Sequence, residues 1–139
     1  MCVGNDSILN KVQRVEEALA RITAHYISGK TDVENDLDAQ DVILLNLTRA
    51  CEQTIKMAMQ IVRQKKIGLP DNYKDSFVKL ADAKLIPIEL AKQLGSMVGF
   101  RNLAVHAYHE IDFNILKSIL DQRLNTFSEF NKIALKLSN

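Results

Sequence analysis

The chain has 139 residues, of which 47% are hydrophobic, and this length and composition predict one domain over residues 1–139. Its 18 Lys and Arg residues nearly balance 17 Asp and Glu residues, and the formal net charge of +1 excludes the broad basic surface of a general nucleic-acid binder. No apolar run approaches the roughly 18 residues of a membrane span, and the first residues lack a signal-peptide pattern. We therefore expect a cytoplasmic protein.

The two cysteines are Cys2 and Cys51. Cys51 falls on an apolar helical stripe, which favours a buried thiol over a disulfide. A reduced thiol suits the reducing cytoplasm.

The first predicted helix covers about residues 7–27, and Asp6 or Ser7 can cap it. Gly29 supplies a C-terminal stop. The apolar residues of this helix recur every three or four positions: Ile8, Val12, Val15, Leu19, Ile22 and Tyr26.

The connection after the first helix and the start of the second are acidic. The carboxylates are Asp32, Glu34, Asp36, Asp38 and Asp41. A metal site is one interpretation of this cluster. Negative charge is also favoured at a helix N-terminus, and we prefer that interpretation.

The second predicted helix, about residues 38–66, is the longest and carries two apolar stripes. The first contains Leu44, Leu47, Cys51, Ile55, Ala58 and Val62, and the second contains Ile43, Ala50, Met57 and Ile61. A helix that is apolar over so wide an arc is either central in its own bundle or shared with a partner. Arg63, Lys65 and Lys66 end the helix, where cations are favoured; contact with an RNA backbone is the alternative.

Gly68 and Pro70 mark a turn before a short third helix, which Asp71 or Asn72 can cap. A motif helix is predicted from about Pro87 to residue 106 or 108. The last helix is capped by Asp112 and runs almost to the C-terminus. Its stripe contains Phe113, Leu116, Leu120, Phe127, Phe130, Ala134 and Leu137.

No segment alternates as a half-buried strand does. The fold class predicted is therefore all-α, an up-and-down bundle of four long helices plus a short helix.

The motif helix departs from ordinary amphipathic patterning. At about 100° per residue, Arg101 and Tyr108 fall in the middle of an apolar stripe. That stripe contains Leu94, Met97, Ala104 and Val105. About 140° round the helix, a second strip of small and polar residues contains Gly95, Gly99, Asn102 and His106. This strip predicts a groove with a histidine at its end.

His106 and Arg101 are suited to RNA cleavage without a metal. A histidine, with an ordinary pKa near 6.5, can take a proton from the 2′-hydroxyl or give one to the leaving 5′-oxygen. An arginine offers a bidentate fork to phosphate oxygens. A surface histidine at a helix C-terminus and a paired structural arginine explain the same residues, and on the residues alone we favour those roles.

Two other chemistries are weak. His106 and His109 form an H-x-x-H pair with Glu110 and Asp112 beyond it, but neither cysteine lies nearby to complete a zinc site. Ser96 lacks the G-x-S-x-G context of a hydrolase nucleophile.

Arg101, Asn102, His106 and Tyr108 match in order and spacing the R-N-x-x-x-H-x-Y signature of the HEPN superfamily, and the chain resembles its HepT-like toxins. The resemblance extends over nearly the whole chain and includes Thr48–Pro70. It implies a HEPN-like helical fold and the toxin of a type VII-like toxin–antitoxin pair. Such a toxin is a dimeric endoribonuclease that needs no metal or other cofactor.

The resemblance also implies roles for the motif residues. Arg101 and His106 would be catalytic, with Asn102 orienting the imidazole or binding the ribose. A two-fold homodimer would supply two histidines to one cleft and would use the second stripe of the second helix. An antitoxin, a minimal nucleotidyltransferase that uses ATP, would transfer AMP to Tyr108 and so neutralise the toxin.

Tyr108 would lie on the face of Arg101, at the mouth of the same cleft, if the motif helix continued that far. An amphipathic interface tyrosine is the other interpretation of this residue. The alternative function is a non-catalytic HEPN module that binds nucleotide or docks a nucleotidyltransferase.

Overall fold

The structure is a computed structural model that describes residues 3–138, with side chains from residue 7. Its helices are α1 Val3–His25, α2 Leu37–Lys65, α3 Tyr73–Asp82, α4 Ile88–His106, α5 Phe113–Gln122 and α6 Asn125–Leu137. A short 3₁₀ turn, Tyr108–Glu110, lies between α4 and α5. Residues 3–138 contain no strand, so the all-α prediction is confirmed; Cys2 lies outside the described residues.

Helix α2 occupies the centre of the bundle and contacts α1, α3, α4 and α6. Both of its apolar stripes are buried, including Ile43, Ala50, Met57 and Ile61 of the second stripe. The interpretation of α2 as central in its own bundle is therefore confirmed. The use of the second stripe for a partner is wrong, because neighbouring helices of the same chain already cover it.

Aromatic residues from α3 and α6 join in the core. Phe77 and Phe130 pack edge to face, with ring centroids 5.8 Å apart and an interplanar angle of 83°. A ten-residue helix such as α3 is marginal on its own in water. Its burial through Phe77 and Leu80 therefore holds it in place, and with it the side chains that α3 presents to α4.

Polar side chains cap three helices at their N-termini. The Asp36 side chain accepts a hydrogen bond from the Ala39 backbone N–H at 3.1 Å, and Asn72 and Asp112 cap α3 and α5 in the same way. The sequence predicted the Asp112 cap and offered Asp71 or Asn72 for α3, of which the structure selects Asn72. Asp36 also accounts for part of the acidic connection as helix-terminal charge.

The predicted start of α1 is wrong. Helix α1 begins at Val3, so Asp6 and Ser7 lie inside it and neither is at a free N-terminus. The Ser7 hydroxyl donates instead to the side chain of Gln60. The predicted end near residue 27 is also wrong, because α1 ends at His25 and Gly29, with a left-handed φ of +76°, lies in the turn that follows.

The predicted last helix is two helices, because the chain turns at Arg123 and Leu124. No glycine or proline marks this break, and the apolar stripe keeps its spacing across it. The buried Thr126 hydroxyl donates to the Gln93 side chain of α4 at 3.1 Å, which ties the first turn of α6 to another helix. A contact of this kind has no local sequence signal.

No helix within residues 3–138 is long and apolar enough to span a membrane. Within the same residues, no three His, Cys, Asp or Glu side chains converge as metal ligands.

Replacing Asp36 by alanine removes the N-cap of α2 and should lower the free energy of unfolding by about 0.5–2 kcal/mol. Urea unfolding followed by circular dichroism measures the change. The Glu34→Ala variant is the control, since Glu34 is exposed and caps no helix; its stability should stay within about 0.5 kcal/mol of the parent. Equal destabilisation in both variants would contradict the capping role.

Candidate functional site

Helix α4 leaves the core toward its C-terminal end. Leu94 and Met97 are buried, whereas Val105, on the same stripe, is 46% exposed. The small-residue strip is open only in part. The Lys74 side chain of α3 lies over Gly95, so close that a Cβ there would meet its Cε at 2.9 Å, while a Cβ on Gly99 would face open space. The predicted groove is therefore confined to the Gly99 end.

Arg101 lies between α4, α2 and α3, with 16% of its side chain exposed. Its Nη1 donates to Asn102 Oδ1 at 3.1 Å, and its Nη2 lies 3.8 Å from Glu52 Oε1. The guanidinium carbon is 6.0 Å from the centroid of the Tyr73 ring. The prediction of an arginine on an apolar stripe is confirmed, and in this chain that stripe faces its own α2 and α3.

The guanidinium of Arg101 makes fewer hydrogen bonds than its five N–H groups allow. Its Nε is buried without an acceptor, and the contact with Glu52 is longer than a hydrogen bond. Beside it lies an open pocket of about 230 Å³, whose lining includes Lys56 and Tyr73. An anion that enters this pocket meets two cations, Arg101 and Lys56, together with the Glu52 carboxylate.

Behind Arg101, the Cys51 thiol is fully buried and contacts the backbone carbonyl of Met97 at 3.8 Å. Burial raises the pKa of this thiol to about 12, although the charge of Arg101 partly opposes the shift. The prediction of a buried thiol is confirmed, and a thiol that resists ionisation is a poor nucleophile.

His106 is the last residue of α4 and is exposed. Among the described side chains, none forms a hydrogen bond or ion pair with its ring. Asn102, one turn earlier, is hydrogen-bonded to Arg101 and not to the imidazole of His106. The histidine is thus free to contact a ligand or another chain.

The motif helix ends at His106, because Ala107 leaves the helical conformation at φ −145° and ψ 53°. Tyr108 therefore starts the 3₁₀ turn and points toward the N-terminal end of α2. Its hydroxyl donates to Gln40 Oε1 at 2.7 Å. Gln40 precedes Glu52 by twelve residues, or about 18 Å along α2.

The expectation that Tyr108 shares the face of Arg101 is therefore wrong for one chain, since it required the helix to continue. Arg101 and His106 are also separated, by about 140° of rotation and about 7.5 Å of rise along α4. The structure brings together Arg101 with Asn102, and Tyr108 with Gln40.

Burial raises the pKa of the Tyr108 phenol, and the nearby Asp41 carboxylate raises it further. The residue as a whole remains 44% exposed. It lines an apolar groove of about 400 Å³ with Leu45, Ala104 and Val105. Tyr108 is therefore accessible, and its phenol ionises less readily than that of an ordinary tyrosine.

Sequence reasoning did not find Glu52, Tyr73 or Gln40, although these residues position the motif side chains. Each lies on another helix or at its end, between 28 and 68 positions away from its motif partner. Only the packing of α2 and α3 against α4 reveals them.

Comparison with known proteins places the chain in a family. The family model for HepT-like ribonucleases matches residues 15–133. The chain is 38% identical over 126 residues to the mRNA nuclease HepT of Shewanella oneidensis, an alignment that covers 91% of this chain and 94% of that protein. This chain belongs to the HepT-like ribonuclease family.

Solved structures of HepT-like proteins have the same fold. A tri-AMPylated HEPN toxin of Shewanella oneidensis in complex with its MNT antitoxin superposes with a TM-score of 0.86 at 36% identity, covering 92% of this chain and 96% of that one. A toxin–antitoxin complex with AMP-PNP gives a TM-score of 0.87 at 36% identity, covering 93% and 98%. The HepT-like ribonuclease and its helical fold were both predicted from the sequence.

Proposed function

We propose that this HepT-like ribonuclease is the cytoplasmic toxin of a type VII-like toxin–antitoxin pair and cleaves RNA without a metal ion. Arg101 binds the phosphate and stabilises its developing charge. His106 transfers protons to or from the ribose and leaving-group oxygens. Asn102 supports the site by holding Arg101, to which it is hydrogen-bonded.

The observation that carries this proposal is that the N–H groups of Arg101 are only partly hydrogen-bonded. In this mostly buried guanidinium only Nη1 makes a hydrogen bond to a described residue, and Nη2 lies 3.8 Å from Glu52, so an anion can complete the hydrogen bonding of Nη2. The adjacent pocket contains Lys56, a second cation, and is open to solvent. A phosphodiester supplies the missing acceptors in bidentate geometry.

The contact between Arg101 and Glu52 favours the alternative, a non-catalytic module in which the arginine is only structural. At 3.8 Å, however, Glu52 satisfies no N–H of the guanidinium by hydrogen bonding. Glu52 is better explained as a group that orients Arg101 while leaving its donors available.

A second copy of the chain is needed to complete the site. Within one chain, Arg101 faces α2 and α3, whereas His106 is exposed on another side of α4. One histidine also cannot act as base and acid in the same step. We propose a homodimer in which the ends of two α4 helices meet, so that each Arg101 lies near a His106 of the other copy.

The apolar groove beside the motif is the proposed dimer interface. Leu45 of α2 is 51% exposed, and Val105 and Tyr108 line the same groove. Large exposed apolar side chains grouped in one place are typical of association surfaces. Tyr108, which lines the groove, is two residues from His106, so association here would bring the two histidines together.

We propose that AMPylation of Tyr108 by a partner nucleotidyltransferase switches the toxin off. The tri-AMPylated state of the Shewanella oneidensis toxin, 36% identical to this chain, supports the proposal. Adenylate on Tyr108 would place phosphate charge and a nucleotide beside His106, and RNA would be excluded from the histidine by charge and by occupancy.

RNA cleavage by the His106→Ala variant should fall by roughly 10²–10⁴-fold, the contribution expected of general acid–base catalysis. Arg101→Ala should lose activity as well, and Arg101→Lys should recover little because a point charge cannot reproduce the bidentate fork. EDTA should leave the wild type unchanged. Cleavage of a labelled RNA measures all four.

The matched control is His109→Ala, which removes an exposed histidine three residues away. Full activity in His106→Ala would overturn the catalytic assignment. Loss of wild-type activity in EDTA, restored by a divalent ion, would overturn the metal-free mechanism.

Light scattering at micromolar concentration should give about twice the chain mass of 15.7 kDa. A glutamate at Leu45 places a charge in the proposed interface and should shift the mass toward that of one chain. The control is Ile115→Glu, because Ile115 is 52% exposed but lies on α5, away from the groove. A wild type with the mass of one chain would contradict the proposed site.

Incubation with the cognate nucleotidyltransferase and ATP should add mass in multiples of one AMP unit and abolish RNA cleavage. The Tyr108→Phe variant should gain no mass, because it lacks the acceptor oxygen. Intact-mass spectrometry follows both proteins. If the phenylalanine variant were modified and silenced equally well, another residue would be the acceptor.

A further inference from the structure

The Tyr108 hydroxyl is held by an amide whose orientation is fixed. Gln40 is 6% exposed, and its Nε2 donates to the backbone carbonyls of Val33 at 2.9 Å and Glu34 at 3.1 Å. Its Oε1 accepts from the Tyr108 hydroxyl. Rotating the amide would turn its oxygen toward two carbonyl oxygens, so the carbonyl group must face Tyr108.

This contact directs the phenolic proton into the protein. The proton faces a buried amide oxygen, which is not a base, and the oxygens of Tyr108 and Gln40 are only 2.7 Å apart. Once phosphorus replaces the proton, the tyrosine oxygen has nothing to donate, and two acceptor oxygens would face each other at that distance. A base on a second protein cannot reach the phenolic proton from solvent, because the proton points toward Gln40.

AMP transfer requires the opposite arrangement. The Tyr108 oxygen attacks the α-phosphorus of ATP, the new O–P bond forms as the bond to the β-phosphate oxygen breaks, and pyrophosphate leaves. The phenolic proton passes to a base of the transferase. The oxygen must therefore point to solvent, and its proton must be reachable from outside.

We propose that Gln40 is a latch on the modification site: Tyr108 accepts AMP only after its hydroxyl leaves Gln40, and the modified tyrosine cannot return. The inference rests on the proposed AMPylation of Tyr108. Gln40 is a positioning residue, since it contacts neither RNA nor ATP. The docked tyrosine ties the end of α4 to the α1–α2 connection through Val33 and Glu34, and modification releases that tie.

The first test compares initial rates of AMP incorporation at limiting transferase by intact-mass spectrometry. Gln40→Leu removes the acceptor and increases the fraction of undocked tyrosine, so the rate should rise roughly 2- to 12-fold, the factor that one net hydrogen bond supplies. The control Asp121→Ala removes the acceptor of another tyrosine hydroxyl, that of Tyr26, and should leave the rate unchanged. An unchanged or slower rate in Gln40→Leu would overturn the latch.

The second test uses the wild-type chain and does not depend on how Gln40→Leu folds. Hydrogen–deuterium exchange of residues 30–40 and 103–112 should be faster in the AMPylated protein than in the unmodified one, while the core of α2 stays protected. Equal exchange in both segments would mean that the modified tyrosine stays docked, which contradicts the proposal.

Tyr108→Phe separates the two levels of the proposal. If this variant still takes up AMP, the modification site itself is wrong. If it takes up none and Gln40→Leu is not accelerated, Tyr108 is the acceptor but Gln40 is not a latch.

Discussion

The end of α4 at His106 is the constraint on which the site depends. Because Ala107 leaves the helical conformation, His106 stands exposed at a helix terminus and Tyr108 turns toward α2. One more helical turn would place Tyr108 on the face of Arg101. The early stop therefore divides the motif into Arg101 on the inner side of α4, the proposed phosphate-binding group, and His106 at its tip, the proposed proton-transfer group.

The inner part depends on the central position of α2. Arg101 can be largely buried because Glu52 on α2 and Tyr73 at the start of α3 give it an opposite charge and an aromatic face. Neither contact is a hydrogen bond. The guanidinium is therefore oriented, but most of its N–H groups still lack hydrogen-bond acceptors among the described residues. Gln40 lies about three turns before Glu52 on α2, and its side chain orients Tyr108 by accepting a hydrogen bond from the hydroxyl. A single helix thus positions both the arginine and the proposed modification site.

The sequence predicted features that depend on local spacing: the helices, the Asp112 cap, a cap for α3 at Asp71 or Asn72, the burial of Cys51 and the arginine on an apolar stripe. It did not predict features set by hydrogen bonds between distant residues. The break between α5 and α6 accompanies the bond from Thr126 to Gln93, and Tyr108 is held by Gln40, 68 residues away. Helical counting also assumed an unbroken α4, and it therefore placed Tyr108 beside Arg101.

The central claim is that one cleft uses groups from two chains, and mixing of subunits tests it most directly. Wild type is exchanged with a ninefold excess of His106→Ala, so that about nine in ten wild-type chains pair with a variant. If both histidines are required, RNA cleavage per wild-type chain should fall about tenfold, and an excess of a His106→Ala variant that also carries Leu45→Glu should have no effect. Cleavage that stays constant through complete exchange with His106→Ala would contradict a shared cleft.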